Sequence, residues 1–81
     1  MTVRVQFFSH LRDLAGASEF DAEVAENATV ADLLALLYTR HPKLGEWDNS
    51  ILVGAGVEFV ERDYPLKDGD EIAVMPPVQG G

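Results

Sequence analysis

Cysteine is absent from the 81-residue chain, and basic residues are scarce, with 6 Lys and Arg against 14 Asp and Glu. Without a thiol the chain forms no disulfide, no thiolate-ligated zinc or iron–sulfur site, and no cysteine nucleophile. The formal net charge of −8 argues against nucleic acid and anionic membranes as partners, because both are bound through Lys and Arg contacts with phosphates. The charge favours a partner with a basic surface.

Long apolar runs are also missing. The longest apolar run lies within residues 33–38, far short of the roughly 20 residues that a membrane-spanning helix needs. The first residues, MTVRVQFF, lack the long apolar stretch and the cleavage site of a signal peptide. The length suits one domain, and an apolar fraction of 47% is typical of a folded one. We therefore expect a single cytoplasmic domain.

Two strands and a short helix are predicted at the start of the chain. Residues 3–8 and 19–24 alternate between apolar and polar side chains, which is typical of half-buried strands. Between them, residues 10–15 form a short predicted helix, with Ser9 as its N-cap and Gly16 at its C-terminal end. The apolar face of the first strand consists of Val3, Val5 and Phe7, and the outer face of the second consists of Glu19, Asp21 and Glu23.

The main helix is predicted over residues 29–41. Thr29 is a suitable N-cap, and Asp32 follows at the spacing of a capping box. Apolar residues at i, i+3, i+4 and i+7 form one face, consisting of Val30, Leu33, Leu34 and Leu37. Pro42 prevents the helix from continuing. The polar stretch 43–50 reads as irregular, with Trp47 as its apolar anchor.

Short strands complete the predicted domain. Residues 51–53 and 57–60 flank a turn at residues 54–56, and residues 72–75 form the last strand. The resulting order, β-α-β-α-β-β-β, predicts an α+β fold of the β-grasp, or ubiquitin-like, type. A mixed four- to five-stranded sheet would carry the main helix across one face. We expect this domain to span residues 1–75 and an extended tail to span residues 76–81.

No side-chain constellation predicts a catalytic or metal site. His10 and His41 are the only histidines, and neither has further ligands at a recognisable spacing, so we predict no metal. The glycines at 54 and 56 lack the third glycine and the following helix of a dinucleotide-binding loop. The acidic residues of the second strand are interpreted as a solvated face.

The C-terminal tail is the feature that packing does not explain. Pro76 and Pro77 favour an extended exit, and Gly80 and Gly81 add nothing to a core. Six residues reach about 20 Å at roughly 3.3–3.6 Å each, enough to thread a narrow channel of a partner. The reactive group would be the carboxylate of Gly81. It is ionised at neutral pH and a poor electrophile, so a partner must activate it, for example as an adenylate, before a sulfur donor displaces AMP.

The chain resembles the small subunits of molybdopterin synthase, the MoaD family, essentially from end to end. The resemblance rests on the motifs VQFF at 5–8, LRDLAG at 11–16, YPL at 64–66 and DGDEIAVMPPVQGG at 68–81. The combination of G-D-E-apolar-A with P-P-V-x-G-G at the terminus is the most specific part.

This resemblance implies a ubiquitin-like sulfur carrier that is not catalytic alone. Gly81 would be adenylated with ATP by an E1-like (MoeB-like) enzyme and converted to a thiocarboxylate by a sulfur donor system. The tail, Pro76, Pro77, Val78, Gln79 and Gly80, would enter the large (MoaE-like) subunit of a heterotetramer. There Gly81 would donate sulfur to cyclic pyranopterin monophosphate. No cofactor would be bound permanently.

The same resemblance implies an apolar contact face around the root of the tail. The positions carried over are Phe7, Phe59 and Met75. Relatives often have Phe in place of Met75, and a Val-Asn pair where this chain has Ala55 and Gly56.

Three alternatives remain open at this point. The chain could be a sulfur carrier for thiamine, cysteine or tRNA thiolation, with the same chemistry at Gly81 and another recipient. It could be a protein modifier that attaches Gly81 to lysines. It could also be an interaction domain in which the terminal Gly-Gly has no function.

Overall fold

A mixed five-stranded sheet is the centre of the fold. The computed structural model describes residues 1–77, and the strand order is β2-β1-β5-β3-β4. The strands are β1 (Thr2–Phe7), β2 (Glu19–Glu23), β3 (Leu52–Ala55), β4 (Glu58–Phe59) and β5 (Glu71–Met75). The helices are α1 (His10–Ala15), α2 (Val30–Arg40) and α3 (Pro42–Gly45), followed by a 3₁₀ helix at Asp48–Ser50. β1 and β5 run parallel, and the other neighbouring pairs run antiparallel. The predicted β-grasp architecture, with a mixed sheet and one main helix, is confirmed.

The core lies between α2 and one face of the sheet. The apolar stripe predicted for β1 is buried, and so is the predicted face of α2. Register explains how the central strands join this core, because Val5 lies opposite Ile72 and Phe7 opposite Val74. The largest fully buried members of this core are Val3, Val5, Leu11, Val30, Leu33, Leu37, Leu44, Ile72 and Val74.

The start of α2 is capped both locally and by a distant loop. The predicted capping box is present: the Thr29 N–H donates to Asp32 Oδ2 at 2.9 Å, and the Asp32 N–H donates to Thr29 Oγ1 at 3.4 Å. The N–H groups of Val30 and Ala31 donate to the carbonyls of Tyr64 and Arg62, at 3.0 and 2.8 Å. The orphan donors of the first turn are therefore satisfied, and the loop before β5 is fixed to the helix.

Ser9 does not cap α1 through its side chain, so that prediction is wrong. Ser9 has a φ of 54° and makes no side-chain cap bond. The carbonyls of Phe8 and Ser9 accept the N–H groups of Leu11 and Arg12 and complete the first turn. Gly16 ends the helix in the left-handed conformation, with φ 75°, as predicted.

The prediction of an irregular stretch anchored by Trp47 is also wrong. Pro42 ends α2, as expected, but it then starts α3, where its missing N–H suits the first helical position. The anchor is Leu44, which is fully buried, whereas Trp47 is 40% exposed. Trp47 instead lies edge-on to the ring of His10, with centroids 4.5 Å apart.

The hairpin turn lies later than predicted. Gly54 and Ala55 belong to β3, since they pair with Ala73 and Ile72 of β5. The turn follows at Gly56, with φ 62°.

A polar cluster joins α2 to the segment before β3. The Tyr38 hydroxyl donates to Asp48 Oδ1 at 2.6 Å. One terminal nitrogen of Arg62 donates to the carbonyls of Asp48 and Ile51, at 2.8 and 3.1 Å. Partial burial, followed by the hydrogen bond and the negative charge of Asp48, raises the pKa of Tyr38 above its ordinary value.

We predict that Tyr38→Phe lowers the free energy of unfolding by about 0.5–1.5 kcal/mol at pH 7, because one hydrogen bond is lost. Since the folded-state pKa of Tyr38 is raised, its contribution is present below the ordinary tyrosine pKa and is lost as pH rises above it. Urea unfolding between pH 7 and 11 should show a steeper alkaline loss of stability for the wild type than for Tyr38→Phe. Parallel alkaline curves would contradict the assigned hydrogen bond.

Candidate docking face and C-terminal tail

The tail leaves the sheet at the end of β5. β5 ends at Met75, because Pro76 has no N–H to continue the ladder. Pro76 and Pro77 follow as half-buried residues outside any strand. The remaining tail positions of the prediction, Val78, Gln79, Gly80 and the reactive Gly81, lie outside the described residues. The extended tail and the role of Gly81 therefore stay predictions.

The face of the sheet opposite α2, here called the open face, is divided into an acidic half and an apolar half. The parallel register places Phe8 beside Met75, and the antiparallel register places Leu52 on the other side of Met75. These three side chains lie on the open face at the root of the tail, because the alternate positions of their strands are buried. The apolar half consists of Phe8, Leu52, Gly54, Phe59, Ala73 and Met75.

Phe7 is not part of this face, which contradicts the predicted contact residue. Its side chain is 2% exposed and belongs to the core. Phe8, the next residue, is 39% exposed and lies on the open face. The physical reason is the side-chain period of two in a strand, since one step along the chain moves a side chain to the opposite face. Phe59 is 70% exposed and Met75 half-buried, so both are accessible at the surface, and their role in a contact stays a prediction.

An apolar groove of about 300 Å³ crosses the apolar half of the open face. Gly54 and Ala73 form its floor, and Phe8, Phe59 and Met75 stand around it. Gln6 and Glu58 contribute polar groups at its borders. Gly54 and Ala73 were not identified from the sequence. For Ala73, the alternation of side chains along β5 was the available signal. For Gly54, no local pattern indicated a strand, and the residue was therefore assigned to a turn.

The acidic half lies on β2 and the adjoining part of β1 and β5. Glu19, Asp21 and Glu23 are exposed there, as predicted. Arg4 forms an ion pair with Asp21, with Nε and Oδ1 3.3 Å apart. Both side chains are well exposed, so the pair adds little stability. The three carboxylates of Glu19, Asp21 and Glu23 are accompanied by one cation, Arg4, so the net charge of these side chains is negative.

Within residues 1–77, no group of three or more His, Asp or Glu side chains is placed to hold a metal ion. In the same part of the chain, no helix is long and apolar enough to span a membrane.

The sequence matches the model of the ThiS family over residues 5–81. A molybdopterin synthase sulfur carrier subunit from Chlamydomonas reinhardtii is 35% identical, and the alignment covers 100% of both chains.

Solved structures with the same fold come from proteins of several kinds. A putative molybdopterin converting factor subunit 1 from Pyrococcus furiosus has a TM-score of 0.89 at 35% identity, covering 96% of this chain and 99% of that one. SAMP1, a small archaeal modifier protein from Haloferax volcanii, has a TM-score of 0.86 at 30% identity, covering 100% of both chains. A complex of subunits 1 and 2 of the molybdopterin-converting factor from Helicobacter pylori contains a chain with a TM-score of 0.72 at 29% identity, again covering 100% of both chains.

The two neighbouring phenylalanines should respond differently to truncation. We expect Phe7→Ala to lower the free energy of unfolding by about 3–5 kcal/mol, as for other buried aromatic residues. Phe8→Ala should lower it by a smaller amount, about 1–2 kcal/mol, because the Phe8 side chain is 39% exposed and only partly buried. Urea denaturation of both variants measures the difference, and equal losses would contradict the assignment of Phe7 to the core and Phe8 to the open face.

Proposed function

The chain belongs to the ThiS family, among the molybdopterin synthase sulfur carrier subunits, and we propose that the terminal carbon of Gly81 carries the sulfur. The observation that carries this proposal is the full-length match to a carrier subunit, combined with a Gly-Gly terminus that is separated by four residues from the end of β5. A terminal carboxyl group lets a chain with no cysteine hold sulfur.

The proposed chemistry has two stages. An E1-like enzyme first joins the Gly81 carboxylate to the α-phosphorus of ATP, and pyrophosphate leaves. A sulfide-level donor then attacks the carbonyl carbon, AMP leaves, and Gly81 becomes a thiocarboxylate. In the synthase, the sulfur bonds to a carbon of cyclic pyranopterin monophosphate, from which an oxygen substituent leaves, and water cleaves the bond between the Gly81 carbonyl carbon and the sulfur, which regenerates the carboxylate. Two transfers supply the two sulfurs of the dithiolene. Because activation consumes ATP, the cytoplasm remains the predicted compartment.

The proposed partners are the large synthase subunit and the E1-like enzyme, the first in a heterotetramer of two small and two large chains. The complex of the two subunits from Helicobacter pylori supports the large subunit as a partner. The net charge of −8 and the acidic half of the open face favour a basic surface on that partner, which would mainly accelerate encounter. This chain supplies the sulfur and the tail, and the partner supplies the catalytic site.

We assign the contact with the large subunit to Phe8, Phe59 and Met75. They form a continuous apolar surface next to Pro76, so a partner that takes up the tail must approach it. Phe8 replaces the buried Phe7 in the predicted set. Met75 is flexible and polarisable, which suits an adaptable contact.

Protein modification is a second candidate function, and the similarity to SAMP1 favours it. In this case the activated Gly81 would form an isopeptide bond with a lysine of another protein. Mass spectrometry of cell extracts would detect the corresponding branched peptides. Sulfur transfer without such conjugates would exclude this second function under the conditions tested.

The thiocarboxylate provides the direct test of the proposed function. Incubation of the chain with its E1-like enzyme, ATP and a sulfur donor should increase its mass by the difference between one sulfur and one oxygen at Gly81. Deletion of Gly81 should abolish the increase, while the thermal unfolding midpoint should stay unchanged, because Gly81 lies six residues beyond the end of β5 and has no side chain. Absence of the mass change in a system that loads a known carrier would refute the proposal.

Phe59→Asp should weaken binding of the large subunit at least about tenfold, equivalent to about 1.4 kcal/mol. The new carboxylate would lie in an apolar contact without a partner, whereas in the free chain it lies at an exposed position. Asn27→Asp, which adds the same charge in an exposed loop, is the matched control. Calorimetric titration of both variants measures the effect, and equal affinities would exclude Phe59 from the contact.

A further inference from the structure

β2 is an edge strand, and its outer side is free within the part of the chain that the structure describes. The strand order places β2 beyond β1, and among residues 1–77 no second strand pairs with it. An edge strand presents backbone N–H and C=O groups with which another extended chain can pair. β4, the edge strand at the other end of the sheet, has two residues, whereas β2 has five. β2 therefore offers the longer free edge.

The hydrogen bonds between β1 and β2 show which residues of β2 face outward. Met1 and Val24, which continue the register of this strand pair, exchange two backbone hydrogen bonds of 2.8 Å. Bonded and non-bonded residues alternate in an antiparallel pair, so the even-numbered residues of β2 turn their backbone groups toward β1. The N–H and C=O groups of Glu19, Asp21 and Glu23 therefore point away from the sheet, and within residues 1–77 no backbone group bonds to them.

The same three residues carry a row of carboxylates on the open face. Their side chains are exposed, and neighbours in the row lie about 7 Å apart along the strand, because every second side chain shares a face. Side chains of β1 orient the row: Arg4 Nε donates to Asp21 Oδ1 at 3.3 Å, and the Thr2 hydroxyl donates to Glu23. Of these two β1 residues only Arg4 is charged, so the row keeps a net negative charge.

We propose that the free edge of β2 binds an extended segment of another protein as an added strand, and that this segment carries Lys or Arg at every second position. In strand addition, backbone hydrogen bonds supply affinity and alternate side chains supply specificity. The residues opposite Glu19, Asp21 and Glu23 would place their side chains on the open face, each beside a carboxylate. Opposite charges stabilise such cross-strand pairs, so a basic segment matches the row in spacing as well as in sign.

The positions between the basic residues would lie on the α2 side of the sheet. Phe20 is half-buried there, and the Arg40 guanidinium lies 5.0 Å from the centroid of its ring. An apolar side chain of the added strand can pack against Phe20, whereas a cation at the same place would be repelled by Arg40. The favoured segment therefore alternates basic with apolar residues and is not basic throughout.

Charge excludes a second copy of this chain as the occupant. Antiparallel pairing of β2 with its own counterpart would set carboxylates directly opposite carboxylates, which is destabilising. Each copy also brings a net charge of −8, which opposes association. Charged side chains at an edge are a common protection against edge-to-edge pairing. Here the protection acts against acidic strands and leaves basic strands free to pair.

This edge is separate from the contact assigned to the large subunit. β1 lies between β2 and β5, and the tail leaves from β5. One protein can therefore hold the chain at β2 while another takes up the tail. The inference does not depend on the chemistry at Gly81, so it can fail while the proposed function stands.

A synthetic seven-residue peptide that alternates Lys with Val is the probe for strand addition. At millimolar concentration it should protect the amide N–H groups of Glu19, Asp21 and Glu23 from hydrogen exchange, whereas those of Phe20 and Ala22 are already bonded to β1 in the free chain. NMR measures each amide separately. A peptide of the same composition with its lysines contiguous should protect none of the three amides, and neither should a peptide that alternates Glu with Val.

A variant of β2 without the three carboxylates tests the role of charge. The combined substitutions are Glu19→Gln, Asp21→Asn and Glu23→Gln. They should reduce the affinity for the alternating Lys peptide about tenfold, because three cross-strand ion pairs are lost.

The matched control makes the same change in net charge at exposed positions outside the sheet. It combines Glu46→Gln, Glu61→Gln and Asp63→Asn. Its affinity should stay within about twofold of the wild type, because salt screens charges that lie farther away than a Debye length of about 8 Å.

Equal losses of affinity in the two triple variants would show a general effect of net charge and would overturn the proposal. The same holds for equal binding of the two Lys peptides, for binding that leaves the three outward amides unprotected, and for no binding at millimolar concentration. The peptide comparison uses the wild-type chain, so the test remains decisive even if the β2 variant fails to fold.

Discussion

The parallel pairing of β1 with β5 is the constraint on which the rest of the structure depends. It joins the first strand of the chain to the last, and its register sets Val5 against Ile72 and Phe7 against Val74 in the core. The same register fixes what lies on the opposite face, where Phe8 comes beside Met75. Because parallel strands end at the same edge of a sheet, the tail leaves next to Phe8. A shift of one residue in either strand would turn its open-face residue, Phe8 or Met75, toward the core and expose the core residues of that strand.

The alternation of side chains along the strands therefore gives the two faces of the sheet different compositions. One face is covered by α2 and supplies the core. No helix of residues 1–77 covers the other face, and its two halves differ in polarity. The apolar half surrounds the exit of the tail, while the acidic half lies on β2, away from β3 and β4. A partner that approaches the tail meets an apolar surface and a negative field together, which favours both burial and steering.

Local signals were sufficient for much of the fold. The capping box of α2, the end of α1 at Gly16 and the alternation of β1 and β2 depend on residues close in sequence, and all were predicted. The errors concern side chains whose position depends on distant partners. Leu44 rather than Trp47 is buried because α3 packs against α2 and α1. Gly54 belongs to a strand because β5 pairs with it, and no pattern within residues 51–57 indicates that. Phe7 was placed on the contact face by resemblance, although its own alternation with Val3 and Val5 predicted burial.

The chain has no cysteine side chain that could hold sulfur. If the sulfur is held by the terminal carboxyl group, no side chain of the folded domain takes part in the chemistry. The domain then has to hold the root of the tail in a fixed direction and present a surface that only the correct partner covers. The apolar half of the open face can meet the second requirement without any change to the core, because its side chains lie on the opposite side of the sheet. Substitutions in the core should therefore act through stability, those in the groove through affinity, and those at Gly81 through chemistry. A carrier that has no catalytic site of its own should therefore give three classes of variant, which these measurements can separate.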